Sequence, residues 1–522
     1  MIVKVFGAPG TGKTTRLIQD LGNLIKKEGL ETKDVCVISF SNSSVEEIAT
    51  RTGFVRRSKA TPYFSTLHGI CLKLGMEHDE NFKNRAKKTF TNPFFVEGWL
   101  MKFFRQIGVP YEPDQVASEA LGNRAMAQYS RAVGCYYPIY RDVWKCVEKI
   151  EDETLHWIVV EWLKFKEKNG IIDYEDMLIV VFENKLVPQV KVIFIDEFQD
   201  LTPLEYEIIS LWIEKIPCVF VYGDDDQCIH QWRGCDPRFL LDLKADEVII
   251  LSKSWRVPSE VLNFAMKLIS GVKKRKHKEI VPAYSGGKVI FTESWNFEIL
   301  VRNAISLAEK VKNRNETVFL LLRTNRMVRA VEEILYDLAY PFRKLKGESL
   351  WDKELTTAWN VFAKLKTKKY ALDTAEAEWL LDHLNPIFTE QQKEAIKNNL
   401  KRGIFPLDFF GKFGVDQIDP ETMDRRIYEI AIKAREPIAP RSMNLYVDTM
   451  HASKGRECDY CFVADALTPT IRDEVLKYGV DSELRLYYTA TTRAKRAVIF
   501  TPIAGFTHLL NFVSVSCGGV RI

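Results

Sequence analysis

A glycine-rich turn between a short apolar run and a helical pattern is the feature that most restricts the fold of this chain. The run is Ile2 Val3 Lys4 Val5 Phe6, and the turn continues as Gly7 Ala8 Pro9 Gly10 Thr11 Gly12 Lys13 Thr14. A G-x-x-x-x-G-K-[ST] loop that follows a strand and opens a helix is a phosphate-binding loop. A second apolar run, Val35 Cys36 Val37 Ile38 Ser39, follows at β-α-β spacing. The chain start therefore predicts a parallel α/β sheet.

The residue types of this loop suit a nucleoside triphosphate with magnesium. Gly10 and Gly12 let backbone N–H groups and the helix N-terminus face phosphate oxygens. We expect Lys13 to neutralise the β and γ phosphates, the Thr14 hydroxyl to hold magnesium, and Thr15 to lie in the same site. ATP and Mg²⁺ are thus the expected cofactors.

Two adjacent carboxylates follow another apolar run, Val192 Ile193 Phe194 Ile195. Ligands of open α/β sheets bind at the carboxyl ends of the strands, which is where Asp196 and Glu197 would emerge. Asp196 suits a magnesium ligand, and Glu197 suits a base for the attacking water. A solvated acidic strand end describes Asp200 better than these two residues.

Cations that close on the γ phosphate complete the expected chemistry. The second predicted sheet offers Arg256 and Arg493, although 74 lysines and arginines make isolated arginines common. Gln227 and Trp232 lie five positions apart in one segment. Such a segment could sense a nucleotide at one end and stack a base at the other, as a motor requires.

Length and composition indicate an ordinary multidomain protein. At 522 residues the chain exceeds the roughly 250 to 300 residues that one hydrophobic core supports. Its net charge of +4 does not by itself indicate nucleic-acid binding, and the basic run at 273–278 is typical of a solvated face. The ten cysteines lack framework spacing, and Cys458-x-x-Cys461 fits a buried strand better than a metal site. We expect a cytoplasmic, nucleoid-associated protein without a leader or membrane span.

The strand patterns predict two sheets, each interrupted by a mainly helical insertion. The first comprises 1–84 and 166–250, interrupted at 85–165, and the second comprises 251–349 and 441–522, interrupted at 350–440. The second α/β pattern begins at Val248 Ile249 Ile250 Leu251 and continues through Val318 Phe319 Leu320 Leu321 Leu322 to Ala497 Val498 Ile499 Phe500.

Nine segments in one order resemble the superfamily 1A DNA helicases of the UvrD/Rep/PcrA type. They are Gly7 to Thr14; Ser39 Phe40 Ser41 Asn42; Thr66 Leu67 His68; Asp196 Glu197 Phe198 Gln199 Asp200; Gly223 to Gly234; Ser254 Trp255 Arg256; Leu322 Arg323 Thr324 Asn325; Thr449 to Glu457; and Tyr488 to Lys495. The resemblance covers essentially the whole chain. It implies two RecA-like P-loop motor domains, 1A and 2A, with accessory domains 1B and 2B as the insertions.

The resemblance also implies roles for individual residues. Gln227 would contact the γ phosphate, Arg256 and Arg493 would be arginine fingers from the second motor domain, Trp255 would stack on adenine, and Glu457 would reach the ribose. Single-stranded DNA would cross both motor domains. Its implied contacts are Phe40, Asn42, His68, His230, Trp232, Arg323, Thr449 and His451.

Four departures from the family pattern stand out. His230 replaces a usual tyrosine, and Leu67 replaces a phenylalanine. Only six residues precede Gly7, so we expect no glutamine-bearing segment that reads adenine. The 350–440 insertion is also shorter than the second accessory domain that the resemblance implies, which describes a compact family member.

The leading hypothesis is an ATP-dependent helicase that moves 3′ to 5′ on single-stranded DNA and unwinds duplex at single-strand/double-strand junctions. The direction comes from the resemblance alone. Alternatives are a translocase that displaces proteins without processive unwinding, a nucleotide-gated DNA-binding scaffold, and an RNA motor of another superfamily 1 branch. Repair or replication is the expected setting, with accessory proteins unidentified and no membrane partner.

Overall fold

The computed structural model describes residues 1–40, 42–56, 58–91, 95–113, 120–352, 354–384, 387–439 and 443–512, without the Ser43 side chain. Contacts divide the chain into two compact units. The first holds Met1–Val289 and Pro469–Arg496 together with the described residues from Leu509 on, and the second holds Ile290–Thr468 and Ala497–His508. The boundaries of the six sequence segments remain a prediction.

The first unit is built on a six-stranded sheet. Its strands are β1 Ile2–Gly7, β2 Val35–Ser39, β3 Tyr63–Thr66, β4 Val192–Ile195, β5 Cys218–Gly223 and β6 Glu247–Leu251. They lie in the order β3-β2-β4-β5-β1-β6 with parallel pairing. All residues of β2 and β4 are buried, as expected for parallel strands covered on both faces. The predicted parallel α/β sheet is confirmed.

Helices cover this sheet and form the first helical insertion. They are α1 Lys13–Glu28, α2 Asn42–Thr52, α3 Leu67–His78, α4 Glu80–Phe90, α5 Phe95–Ile107, α6 Leu121–Tyr140, α7 Val143–Val147, α8 Glu153–Asn169, α9 Tyr174–Glu183, α10 Pro203–Lys215 and α11 Arg238–Leu241. A short parallel pair and one further helix follow: β7 Lys253–Ser254, α12 Ser259–Ile269 and β8 Val281–Pro282.

The second unit contains a five-stranded sheet in the order β11-β10-β12-β13-β9. The strands and helices from here on are β9 Lys288–Phe291, α13 Phe297–Val311, β10 Val318–Leu322, α14 Asn325–Asp337, α15 Glu354–Thr367, α16 Thr374–His383, α17 Glu390–Lys401, α18 Arg425–Ala431, β11 Leu445–Thr449, β12 Cys458–Asp465, α19 Pro469–Tyr478, α20 Asp481–Thr491 and β13 Ala494–Pro502. Of these, α19 and α20 belong to the first unit. Strand β10 pairs in parallel with β11 and β12. Cys458 and Cys461 lie in β12, as the apolar run predicted.

The sheet register brings distant segments to one edge of the first unit. Phe6 is paired with Gly223, and Ile195 is paired with both Ile38 and Val221. The phosphate loop, Asp196 and the segment after β5 therefore all leave the sheet at its carboxyl edge, where open α/β sheets bind ligands.

Three sequence interpretations are wrong. Val248–Leu251 does not begin the second sheet, because Val3 to Gly7 pair with Glu247 to Leu251 in the first. Asp200 is not solvated; it is buried in a 3-10 helix, Phe198–Asp200, whose other two residues are also buried. The basic run is not entirely a solvated face, because the Lys278 side chain is inaccessible and that of Arg275 is only 10% exposed.

None of the helices in the described part of the chain combines the length and apolar character needed to span a bilayer.

Candidate nucleotide site and nucleic-acid interface

The phosphate loop joins β1 to the N-terminus of α1. Gly12 precedes the helix with a φ of 84°, in the left-handed region that glycine adopts without strain. The ammonium of Lys13 reaches back over the loop and donates to the carbonyl of Gly7 over 2.9 Å. The loop thus presents a helix N-terminus and a lysine to an anion. The hydroxyl of Thr15, in the first turn of α1, accepts a hydrogen bond from Arg51 Nη2 over 2.8 Å.

The segment that carries Trp255 and Arg256 lies directly on this loop. The Ser254 hydroxyl donates to the carbonyl of Pro9 over 3.0 Å, and the amide of Trp255 donates to that of Gly10 over 2.8 Å. A Cβ at Gly10 would stand 2.5 Å from the Cβ of Arg256. Arg256 therefore sits beside the phosphate loop, within the first unit rather than with the second sheet.

Trp255 presents an aromatic surface next to the loop. Its side chain is 57% exposed, and the ammonium of Lys253 lies 4.2 Å from its ring centroid. A cation over one face leaves an aromatic ring suited to stacking on its other face.

Asp196 and Glu197 follow β4 on the same edge. Asp196 is buried, and its amide donates to the carbonyl of Ile38 over 2.9 Å. Burial, reinforced by the charge of Glu197 and opposed by that of Lys13, raises the pKa of Asp196 to about 7. Glu197 has a φ of 51°, an uncommon conformation for a residue other than glycine that clusters at functional sites.

These residues fit a magnesium ion. A buried carboxylate whose ionised form is disfavoured gains from a bound cation, and Mg²⁺ prefers oxygen ligands shared with nucleotide phosphates. Asp196 and the hydroxyl of Thr14 would supply the protein oxygens. The observation that favours a cation here is the buried Asp196 carboxylate at the sheet edge that also carries the phosphate loop.

A continuous hydrogen-bond chain links Glu197 to Arg493. The Glu197 carboxylate accepts from Gln199 Nε2, and Gln199 Oε1 accepts from the amide of Asp224 over 2.9 Å. The Asp224 carboxylate accepts from Gln227 Nε2 over 2.7 Å. Gln227 Oε1 in turn accepts from Arg493 Nη2 over 3.3 Å. Three of the predicted catalytic residues, Glu197, Gln227 and Arg493, are thus joined within the first unit.

Gln199 and Asp224 are the links that sequence reasoning missed. Both fall within recognised segments, but neither was assigned a role. Gln199 is fully buried, and a Cβ at Gly223 would stand 2.7 Å from its Oε1. Glycine at the end of β5 therefore leaves room for the Gln199 amide. The contact between Gln199 and Asp224 follows from the pairing of β4 with β5, and strand order is not visible in the sequence pattern.

Trp232 lies on a short 3-10 helix, Gln231–Arg233, and is 44% exposed. The ring of His230 meets it edge-on, with centroids 6.3 Å apart. Helix α6 of the insertion supports this segment, because a Cβ at Gly234 would stand 2.3 Å from the sulfur of Cys135. The exposed indole is thus held on a rigid support and can stack on a base.

The other predicted DNA contacts of the first unit differ in exposure. Phe40 is half-buried against the core, whereas Asn42 is exposed at the start of α2. His68 is half-buried and meets Tyr174 edge-on at 6.0 Å. Burial lowers the pKa of His68 and so favours the neutral ring. Ser41 lies outside the described residues.

Arg323, Thr449 and His451 come together in the second unit. Leu322 and Thr449 are register partners at the ends of β10 and β11, and the amide of Met450 donates to the carbonyl of Leu322 over 2.8 Å. Burial and the charges of Arg323 and Lys346 lower the pKa of His451 to about 3. Glu457 is exposed a few residues further on.

Residues 2–247 match the model of the UvrD/REP helicase N-terminal domain. Among curated proteins, the ATP-dependent DNA helicase PcrA of Staphylococcus epidermidis is 22% identical over 371 residues, which are 67% of this chain and 50% of that protein. A probable DNA helicase II homolog of Mycoplasma capricolum is 22% identical over 418 residues, 74% of this chain and 56% of that protein. The chain thus spans about half the length of the curated relatives it matches.

The family match and the observed architecture agree. The α/β fold, with parallel sheets flanked by helices, is that of the family's two RecA-like motor domains. The matched residues include the phosphate loop, Asp196, Glu197 and the segment from Gly223 to Gly234. The chain is thus similar to the superfamily 1A helicases of the UvrD/Rep/PcrA type, with the family match extending over residues 2–247.

Proposed function

We propose that this protein hydrolyses ATP with magnesium, moves 3′ to 5′ on single-stranded DNA and unwinds duplex DNA. The observation that carries the proposal is the hydrogen-bond chain from Glu197 through Gln199, Asp224 and Gln227 to Arg493. It connects a candidate base with a candidate arginine finger across 296 positions of sequence, 493 minus 197. The direction of movement rests on the family resemblance.

Each residue of the nucleotide site has a distinct task in this proposal. Lys13 and the loop amides bind the phosphates, and Glu197 accepts a proton from the attacking water. Arg256 and Arg493 stabilise charge on the transferred phosphoryl group, while Gln227 responds to its presence. Thr14 and Asp196 would hold Mg²⁺, which supplies charge neutralisation to the phosphates when bound.

The segment after β5 would couple this chemistry to DNA. Gln227 lies in the hydrogen-bond chain, and Trp232 presents its indole five residues later. Stacking on an aromatic side chain contributes about 1 to 3 kcal/mol per base and tolerates any base. Phe40, Asn42, His68 and His230 would extend the DNA path in the first unit, and Arg323, Thr449 and His451 would continue it in the second.

Nucleotide recognition outside the phosphates would depend on Trp255 and Glu457. The exposed indole of Trp255 would stack on the adenine, with Lys253 on its opposite face. Glu457 would reach the ribose. A selective rise in the KM for ATP in Trp255→Ala, with kcat retained, would support this assignment.

Glu197→Gln tests the chemistry. We expect ATP binding to persist while turnover falls by about 10²- to 10⁴-fold, the usual loss when a general base is removed. The control is Glu175→Gln, because Glu175 is a buried glutamate that accepts a hydrogen bond from Ser130, whereas Glu197 is half-buried. Equal activity of Glu197→Gln and Glu175→Gln would remove Glu197 from the mechanism, and equal inactivity of wild type and Glu197→Gln would indicate a scaffold.

A second candidate is a translocase that displaces proteins from single strands without processive unwinding. The short helical stretch at 350–440 favours it. Forked-duplex unwinding measured beside single-strand translocation decides between the two, because robust unwinding contradicts the translocase version. Competition between DNA and RNA for ATPase stimulation tests the RNA-motor alternative.

A further inference from the structure

The segment between α12 and β8 inserts a lysine into a nest of three aspartates. The ammonium of Lys278 lies 2.9 Å from Asp224 Oδ1, 2.5 Å from Asp225 Oδ1 and 2.8 Å from Asp226 Oδ2. All four side chains are inaccessible to solvent. Buried charges are stable only when they are paired. Lys278 is therefore the counter-ion of this nest.

The three carboxylates have the spacing of a metal site, but protein cations fill it. Their ligand atoms lie within 4.8 Å of one another. Besides Lys278, the guanidinium of Arg275 donates two bonds to Asp226, of 2.8 and 2.7 Å. The amide of Lys276 donates to Asp225 over 2.7 Å. The nest is an intramolecular ion cluster rather than a divalent-cation site.

The same cluster holds the helix that leads to Arg493. Arg485 of α20 is buried, and it donates to the carbonyl of Asp225 over 3.0 Å and to that of Lys274 over 2.8 Å. Helix α20 ends at Thr491, two residues before Arg493. Segments 224–227, 274–278 and 485–493 are thus joined by one buried network.

One carboxylate connects this cluster to the nucleotide site. Asp224 forms an ion pair with Lys278 through Oδ1 over 2.9 Å, and it accepts a hydrogen bond from Gln227 through Oδ2 over 2.7 Å. The position and charge of Asp224 therefore depend on Lys278, and the orientation of the Gln227 amide depends on Asp224. Arg493 bonds the other end of that amide.

We propose that Lys278 and Arg275 are positioning residues for ATP hydrolysis, which hold Asp224 and its neighbours so that Gln227 meets Arg493. The inference rests on the proposed ATPase function. These two residues of the 273–278 run thus have a specific role in the ATPase site, in place of a general role in solubility or nucleic-acid attraction.

Lys4 provides a matched control for a purely structural role. Like Lys278, it is a buried lysine beside the Phe6 ring. Its ammonium lies 5.4 Å from the ring centroid, compared with 5.9 Å for Lys278. Its hydrogen bonds go to the backbone carbonyls of Leu240, Leu241 and Leu243 instead of to the aspartates. Removing either ammonium disturbs the core, but only the removal of the Lys278 ammonium also changes the surroundings of Asp224, the partner of Gln227.

The experiment compares Lys278→Met with Lys4→Met in steady-state ATPase assays, with kcat expressed per folded molecule. We expect Lys278→Met to lower kcat about 10- to 100-fold, as loss of supporting contacts does at other sites, with KM for ATP within about twofold. Lys4→Met should keep kcat. When Gln227→Ala is already present, adding Lys278→Met should lower kcat by less than about a further twofold, because both changes act through the Gln227 amide.

A charge-compensated variant keeps the test decisive if Lys278→Met does not fold. Lys278→Met with Asp225→Asn removes one charge of each sign, and Asp225→Asn alone, which retains Lys278, is its control. We expect the pair, but not the control, to lose kcat. Equal kcat for all folded variants, or multiplicative losses with Gln227→Ala, would overturn the inference alone. A wild type that does not hydrolyse ATP would instead overturn the proposed function.

Discussion

Arg493 donates a hydrogen bond from Nη2 to Oε1 of Gln227 over 3.3 Å, although 266 residues separate them. Both side chains are buried, and Arg493 is fixed further by a 2.7 Å bond from Nε to the carbonyl of Thr489. The contact joins the segment that also presents Trp232 to the end of α20. A change in the nucleotide site can therefore alter the positions of both the Trp232 segment and the end of α20.

We expect the contact to behave as a unit. Gln227→Ala and Arg493→Ala should each lower the kcat of ATP hydrolysis by about 10²- to 10³-fold, as loss of a transition-state donor does. Their double variant should lose little more, because contacting residues are not additive. Gln189→Ala, which removes an exposed glutamine, is the control. Multiplicative losses in the steady-state cycle would show that the two residues act independently.

Gly10→Ala should separate steric demand from backbone demand. Gly10 and Gly53 have nearly the same φ, 75° and 74°, but only Gly10 has neighbours where a Cβ would go. Gly53→Ala should therefore cost only the roughly 1 to 2 kcal/mol of left-handed strain. Gly10→Ala should in addition push Arg256 away and raise the KM for ATP. Thermal melts and ATPase kinetics check both, and equal KM values for the two variants would argue against the close contact.

Asp196 predicts a pH dependence of stability in the absence of nucleotide and metal. Its pKa of about 7 in the fold exceeds its ordinary value of 3.8. The folded state therefore binds more protons between these values, and the contribution of Asp196 to stability falls as pH rises through that window. Asp196→Asn removes the loss, so it should be the more stable protein at pH 8 by a few kcal/mol at most.

Melting temperatures at pH 5 and pH 8 in EDTA measure this difference. Asp473→Asn is the control, because the Asp473 side chain is 63% exposed in a surface ion pair. We expect the control to follow wild type at both pH values. A constant difference between wild type and Asp196→Asn across the range would contradict the raised pKa.

The phosphate loop and the strands around it were predictable because their signals are local. A loop pattern, an apolar run before it and a helical pattern after it all lie within about 28 residues, and β1 and α1 form where they indicate. Asp196 and Glu197 were found for the same reason, since they directly follow an apolar run.

Relationships that depend on strand order were not predictable from periodicity. Gln199 meets Asp224 because β4 and β5 are neighbours in the sheet. The run Glu247–Leu251 is apolar enough for either sheet, and only its pairing with β1 assigns it to the first. The charge of Lys278 predicts a solvated side chain, yet the aspartates that neutralise it lie about 50 residues earlier in the chain.

Trp232→Ala should weaken the coupling to DNA more than the chemistry. Loss of one stacking ring should reduce single-stranded DNA affinity by about 1 to 3 kcal/mol. We expect the translocation rate to fall more than the DNA-free ATP turnover. Trp157→Ala is the matched control, because Trp157 on α8 is 48% exposed, compared with 44% for Trp232. Equal loss of turnover and translocation in Trp232→Ala would argue against this division of labour.

In the proposed function, ATP hydrolysis at the hydrogen-bond chain from Glu197 to Arg493 is coupled to single-stranded DNA. The most direct test is the ATP turnover of the wild-type protein, measured with increasing single-stranded DNA at saturating magnesium and ATP. We expect turnover to rise and saturate with increasing DNA, and we expect Glu197→Gln to abolish the stimulated rate. Hydrolysis that is unchanged by DNA would contradict this coupling.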